Sequence, residues 1–355
     1  MNSGADMTQR ISEQTACARP RVSVAMITYN HERYIKQAIE SVLSQEVNFE
    51  VELVIGEDCS KDGTRRIVQE YAGKYPNVIR ALLPGENLGL QKNLITVIEA
   101  CTGDFIALLD GDDYWTDSQK LARQVKFLDS NLECASCFHN AIMFWDDQSS
   151  SGPYLSLHTR ANRLMCRSGM KSRFSQKDFF RGNFIPSCSV MFRREALGKF
   201  PPWFAKLPID DLPLHILCAE QGMAGYLPDV MAAYRLHSGS FWSSRAPIDK
   251  ISSEIKMFEM LEQYLQSRPN SVACQASRRE AARAISRSRS KLKLARARQL
   301  LDSASKKVPA TLWRAWRTNP REAKWLLRWL FCVWPRAFGG KFTAAYVHRK
   351  LRETF

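Results

Sequence analysis

IALLDGDDYW, residues 106–115, runs from four apolar residues into three carboxylates within four positions, Asp110, Asp112 and Asp113. The apolar run, preceded by Thr102-Gly103-Asp104, reads as a buried strand, and open α/β sheets hold their ligands outside the carboxyl ends of such strands. The acids therefore fall at a candidate site. Ionised together in a partly dry cleft they would repel one another, so they need protonation or a compensating cation, and a hard divalent ion with oxygen ligands fits best. The plainer alternative is an Asp-Gly turn whose carboxylates only cap a helix starting near residue 118.

Upstream, the same strand–turn–helix unit recurs. Residues 22–27 read as a strand, Thr28-Tyr29-Asn30 as a turn, and 32–44 as a helix with Ile35, Ala38, Ile39 and Val42 on one face. Residues 51–55 form an apolar strand ending in Glu57-Asp58, followed by a helix through residue 72. A third strand, 78–82, and a helix over 90–100 complete the set. This alternation predicts an α/β fold, a Rossmann-like, mostly parallel mixed sheet flanked by helices.

Downstream, 119–129 reads as a helix and 135–145 as a strand, with a polar break at 146–152. Residues 153–176 carry Arg160, Arg163, Arg167, Lys171 and Arg173 with little periodicity, the pattern of a mobile loop over the site or of an acceptor-facing surface. A strand is predicted over 186–192, a helix over 211–221 and a short strand over 230–236. Beyond about residue 250 only helices are expected. The domain reading is a loose extension over 1–20, an α/β domain over 21–245 and a basic helical region over 246–355. There is no internal repeat.

The 355 residues are 45% hydrophobic and 10% aromatic, enough for a substantial core, which excludes general disorder. The formal net charge of +15 is unevenly spread: from Arg278 onward there are 21 Lys and Arg against 4 Asp and Glu, so the rest of the chain is nearly neutral. Such a tail points to an anionic surface, phospholipid or nucleic acid. Ten cysteines scattered over a long chain, with no apolar leader in the first twenty residues, read as reduced thiols. Cys134 and Cys137 form a C-x-x-C pair, but no second pair or histidines stand at zinc-site spacing, so buried inert thiols are the better reading. No run reaches the about 18 apolar residues a spanning helix needs, which leaves a soluble or peripheral protein.

The ordered blocks VSVAMITYNHERYIKQAIESVLSQ, VIGEDCSKDGT and IALLDGDDYW resemble those of family 2 glycosyltransferases with the GT-A fold, of the kind that build bacterial surface polysaccharides. The resemblance covers about residues 20–240. It implies that Thr28, Tyr29 and Glu32 flank the base and ribose of a nucleotide sugar, and that Asp58 hydrogen-bonds the base edge, which favours uracil and hence a UDP-sugar. The family pattern has Asp where this chain has Glu57. The alternative for Asp58 is an Asx turn into Ser60. Asn93, after Lys92, matches a position lining the same cleft.

Asp110-Gly111-Asp112 resembles the family D-x-D element, which holds Mn²⁺ or Mg²⁺ against the donor diphosphate; Asp110 and Gly111 then also touch the nucleotide, and either Asp112 or Asp113 ligates the ion. Asp210-Asp211 resembles the acidic pair before a helix in which the second acid is the catalytic base, so Asp211 takes that role; helix capping is the competing reading. Tyr234-Arg235-Leu236-His237-Ser238-Gly239-Ser240 resembles the family segment whose histidine approaches the metal or diphosphate, here His237.

The resemblance thus implies an inverting, metal-dependent glycosyltransferase using a nucleoside-diphosphate-sugar donor and a glycan or lipid-linked acceptor. Two other classes remain as alternatives. A sugar-phosphate nucleotidyltransferase would want a glycine-rich basic loop after the first strand, which TYNHERY is not. A membrane-tethered glycan-binding protein without catalysis would not need the acids at 110, 112 and 211. In the tail, WLLRWLFCVW borders a Trp/Leu face with basic residues, the composition of an interfacial helix. Peripheral contact through 310–340 with the inner face of the plasma membrane, in the cytoplasm, is the expectation, with packing on the core or a second subunit as the alternative. Nucleic acid is not expected as a partner, because the serines and alanines among the arginines of 278–298 offer no stacking platform.

Overall fold

The structure is a computed structural model that describes residues 20–146, 163–240, 245–268 and 272–303. Strand β1 (Val22–Thr28) is buried along all seven residues, the signature of a strand covered on both faces. Strands β2 (Val51–Glu57) and β4 (Phe105–Asp110) flank it in parallel, and β3 (Ile79–Leu82) extends the sheet beyond β2, also in parallel. The register sets Thr28 opposite Glu57 and Ile27 opposite Asp110. Three carboxyl ends, each followed by a polar turn, therefore meet at one edge of the sheet.

The connections are the expected helices: α1 (Ile35–Leu43), α2 (Thr64–Lys74) and α3 (Leu90–Ala100). The stripe Ile35, Ala38, Ile39 and Val42 is the buried face of α1. Gly56 is required where α3 crosses β2, because a Cβ there would lie 2.3 Å from Asn93 Oδ1 and 2.4 Å from Val97 Cγ2.

The remaining elements are β5 (Tyr114–Trp115), α4 (Lys120–Asp129), β6 (Cys134–Trp145), β7 (Arg163–Leu164), β8 (Arg173–Phe174), α5 (Gln176–Phe179), β9 (Met191–Arg193), α6 (Asp211–Cys218), β10 (Met223–Leu236), α7 (Pro247–Ser267) and α8 (Val272–Ser303). The sheet order is β3-β2-β1-β4-β9-β6-β10-β5, with β7 added to β6 and β8 to β10. The long pairings are parallel; short β9 runs antiparallel to both β4 and β6 and makes the sheet mixed.

Three expectations shift. The strand over 186–192 shortens to β9, because Ser187–Ser189 folds into a 3₁₀ turn in which Ser189 Oγ donates to the Pro186 carbonyl at 2.7 Å. Strand β10 begins well before residue 230 and carries Pro228-Asp229 through a register shift between Leu227 and Val230, so the proline marks a bulge and not a break. Of the irregular stretch 153–176, the described part holds β7 and β8, paired to β6 and β10.

Alternate residues of β1 feed two apolar layers. Val24 and Met26 pack with α1 and α4, whereas Ala25 and Ile27 pack with α3, α6 and buried residues of α7 and α8, among them Phe258, Leu261, Ala284 and Ile285. The chain divides into compact units 1–291 and 292–355, so α7 and most of α8 belong with the sheet. No helix among the described residues is long and apolar enough to cross a membrane. The eight cysteines in the described residues are free thiols, and burial pushes the Cys137 thiol up to about 12, as expected of an inert side chain.

Candidate active site

The turns after β1 and β2 interlock. Asn30 and Cys59 both adopt left-handed φ, 56° and 57°, and the Asn30 amide donates to Ser60 Oγ while Asn30 Oδ1 accepts from the Lys61 amide, each at 2.9 Å. Glu57 is fully buried and accepts from the Ser60 amide at 2.7 Å and from the Arg65 guanidinium, which makes it the anchor of the turn. Asp58 does not form an Asx turn into Ser60. Its two oxygens accept from the Leu88 and Gly89 amides, at 2.7 and 3.0 Å, and so clamp the loop before α3. Asn93 is fixed by donating to the Gly56 carbonyl at 2.9 Å.

At the end of β4 the three acids are held differently. Asp110 Oδ2 accepts from Ser187 Oγ at 3.0 Å. Asp112 Oδ2 accepts from His237 Nε2 at 3.0 Å and lies 3.8 Å from His31 Nε2. Asp113 turns inward: one oxygen accepts from the Arg235 amide at 2.7 Å, and the other is buried beside Cys188. Arg235 locks this turn. Its Nε donates to the Asp112 carbonyl at 2.8 Å, its fork reaches Asp146 and Gln37, and its guanidinium sits 4.7 Å from the ring centre of Tyr34 and 5.1 Å from that of Phe144.

Electrostatics follow from this packing. Burial, then the Asp112 and Asp210 charges, push the Asp110 carboxyl up to about 8. Burial, then the Asp112 and Asp110 charges, raise Asp113 well above the carboxylate range. Burial also opposes ionisation of Asp112, but His31 and His237 outweigh it and hold that carboxyl below its ordinary value. The site thus gathers acids that cannot all ionise unaided. Asp110, Asp112 and Asp113 each bring an oxygen, and His31, Asp112 and His237 a second set of ligand atoms, to within 4.8 Å of one another. Oxygen donors with imidazole beside them fit a divalent cation such as Mn²⁺ or Mg²⁺.

A second acidic pair stands at the start of α6. Asp210 occupies the cap position but makes no side-chain cap bond, so capping does not account for it. Asp211 is oriented through both oxygens, by the Leu212 amide at 2.7 Å and by the Asn183 side-chain amide. Burial, then Asp211, push Asp210 up to about 7, and burial raises Asp211 too.

A cavity of about 810 Å³ joins these groups: Thr28, Tyr29, Asp58, Asn93, Asp110 and Asp112 line it, and so do Asp210 and Asp211. Residues 23–200 match the pattern of glycosyl transferase family 2. The chain belongs to that family. A Mycobacterium tuberculosis protein, Rv1520, is 35% identical over 227 residues, which span 63% of this chain and 61% of that protein. In fold the chain is similar to Staphylococcus aureus TarS 1–349 in complex with UDP-GlcNAc, at TM-score 0.53 and 17% identity over 81% of this chain and 76% of that one. It is also similar to the mannosyltransferase PcManGT of Pyrobaculum calidifontis in complex with GDP-Man and Mn²⁺, at TM-score 0.55 and 18% identity over 92% and 89%.

Two residues expected at the nucleotide, Glu32 and Gly111, are not among those that line the cavity. Glu32 is exposed and outside the cavity, packed against Gly63, whose Cβ position would lie 2.0 Å from Glu32 Oε1. Gly111 packs on Thr28, where a Cβ would approach Thr28 Oγ1 to 2.5 Å; its part is to let β1 and β4 end side by side. His31 and Asn183 also belong to the site without having been expected there: His31 follows Thr28-Tyr29-Asn30 directly, whereas Asn183 carries no local signal. Arg235 stood beside His237 in the quoted motif without its locking role.

Proposed function

We propose that this chain is an inverting, metal-dependent glycosyltransferase that moves a sugar from a nucleoside diphosphate sugar, a UDP-sugar, to a hydroxyl of a glycan or lipid-linked acceptor. The observation that carries this reading is that Asp211, held through both oxygens, lines the same cavity as Asp110 and Asp112. Asp211 takes the proton of the acceptor hydroxyl, whose oxygen attacks the anomeric carbon as the bond from that carbon to the diphosphate oxygen breaks. The nucleoside diphosphate departs with the electron pair. Burial raises the affinity of Asp211 for that proton, and Asn183 aims the carboxylate.

Asp110 and Asp112, with His31 and His237 beside them, would hold a divalent cation, which supplies charge neutralisation for the departing diphosphate. Asp113, turned toward Arg235, supports the turn. Asp58 faces the cavity, and its carboxylate favours a base that presents an N–H. The Trp- and Arg-rich segment 310–340 lies outside the described residues; its composition supports peripheral contact with the cytoplasmic leaflet.

The test is to incubate the purified protein with UDP-, GDP- and TDP-sugars in Mn²⁺ or in EDTA. Metal-dependent cleavage of one donor is expected. Donor turnover indifferent to metal, or none with any sugar, overturns the reading.

A further inference from the structure

The wall of the cavity near Asp211 is basic. Arg181, Arg287 and Lys291 line it together with Asn183 and Asp211. Arg287 reaches across from α8 to donate to the Phe180 carbonyl at 2.7 Å, and Asn183, three residues further on, holds Asp211. One short loop, 180–183, thus ties the cations to the carboxylate that faces the acceptor hydroxyl. Among the described residues no carboxylate lies within 4.0 Å of the Arg181 or Arg287 side chains, and Lys291 has only Glu254 at 3.8 Å. Arg181 and Arg287 therefore carry charge that no carboxylate among those residues neutralises, whereas Lys291 shares its charge with Glu254, which also lines the cavity.

We propose that the acceptor carries an oxyanion, a phosphate or a carboxylate, which Arg181 and Arg287 receive with Lys291 beside them; this rests on the glycosyltransferase reading above. An acceptor whose hydroxyl touches Asp211 must place its neighbouring groups against loop 180–183. A neutral sugar there would strip water from the two arginines and give nothing of equal strength back. An oxyanion forms charge-assisted hydrogen bonds with the arginine forks, which suit phosphate and carboxylate geometry.

The test fills the donor side with UDP and Mn²⁺ and then titrates glucose, glucose 6-phosphate and glucuronate into the full-length protein by calorimetry. The anionic sugars are expected to bind about tenfold or more tighter than glucose, the difference that one charge-assisted contact supplies. The phosphate and carboxylate arms show which oxyanion is preferred. Arg181→Gln, an exposed change, and Arg287→Gln are each expected to remove most of that preference, with UDP affinity, measured on the same samples, as the check on folding and on the donor side. Equal binding of all three sugars overturns the proposal. So does a preference that survives both changes, or a parallel loss of UDP affinity, which would assign the cations to the donor diphosphate. Donor cleavage is scored separately: metal-dependent cleavage without anion preference sinks this inference alone, whereas arginine-dependent anion binding without cleavage sinks the transferase reading.

Discussion

His237 Nε2 stands 3.0 Å from Asp112 Oδ2, across 125 residues of sequence, and this contact separates Asp112 from its two acidic neighbours. With two imidazoles nearby Asp112 favours its ionised form, while Asp110 and Asp113, buried without such partners, favour the protonated one. The three acids of one turn therefore hold different amounts of charge at neutral pH.

The first consequence concerns pH. Asp110 has its carboxyl raised to about 8 and Asp210 to about 7, from 3.8. Over that range the folded chain keeps protons that the unfolded chain has lost, so the metal-free protein loses stability as pH rises from about 4 toward about 8. A divalent cation held by Asp110 must displace the proton there, so its affinity rises over the same range. Thermal melts with Mn²⁺ and with EDTA are expected to differ more at pH 8 than at pH 6. Equal differences would show that Asp110 is not the group displaced.

Asp211→Asn keeps the shape of the side chain and removes the base. Transfer is expected to fall by roughly 10²–10⁴-fold, with UDP affinity retained. Transfer at the wild-type rate would remove Asp211 from the mechanism.

Arg235→Lys retains a charge but loses the planar fork that joins the Asp112 carbonyl, Asp146 and Gln37. A loss of about 2–4 kcal/mol in urea unfolding is expected, together with a weaker Mn²⁺ response, because the turn carrying Asp112 loosens. Unchanged metal binding in the variant would confine Arg235 to stability alone.

Lys120 offers a test away from the cavity. Its amine is fully buried without a hydrogen-bond partner, 3.7 Å from the ring centre of Trp115, and burial lowers it to about 7 from 10.5. A lowered folded value means that protonation favours the unfolded chain, and this cost is largest below pH 7 and shrinks as pH approaches 10.5. Lys120→Met, which keeps the apolar stem, is expected to raise Tm, and by more at pH 6 than at pH 9. A variant less stable than wild type at pH 6 would mean that the contact with Trp115 outweighs desolvation.

Much of the fold was legible in the chain because its physical requirements are local. A strand covered on both faces, such as β1, must be apolar throughout, and a helix packed on one side must repeat Ile35, Ala38, Ile39 and Val42 at helical spacing. Short β9 and the bulged β10 were harder to read. A three-residue strand is held by its neighbours β4 and β6, and Pro228 is tolerated only because the register shifts around it.

By itself, the sequence determined the α/β rhythm, the three polar turns that end the central strands, and the acidic residues brought to that edge, since each follows from burial and turn chemistry within a few positions. Tertiary structure alone decided how those residues are used: that Asp112 meets His31 and His237, that Asp113 turns to Arg235, that Asn183 aims Asp211, and that Glu32 falls outside the cavity. The reason is that hydrogen bonds and pKa shifts depend on distances of a few ångströms between distant parts of the chain, which only the packing of helices and strands sets.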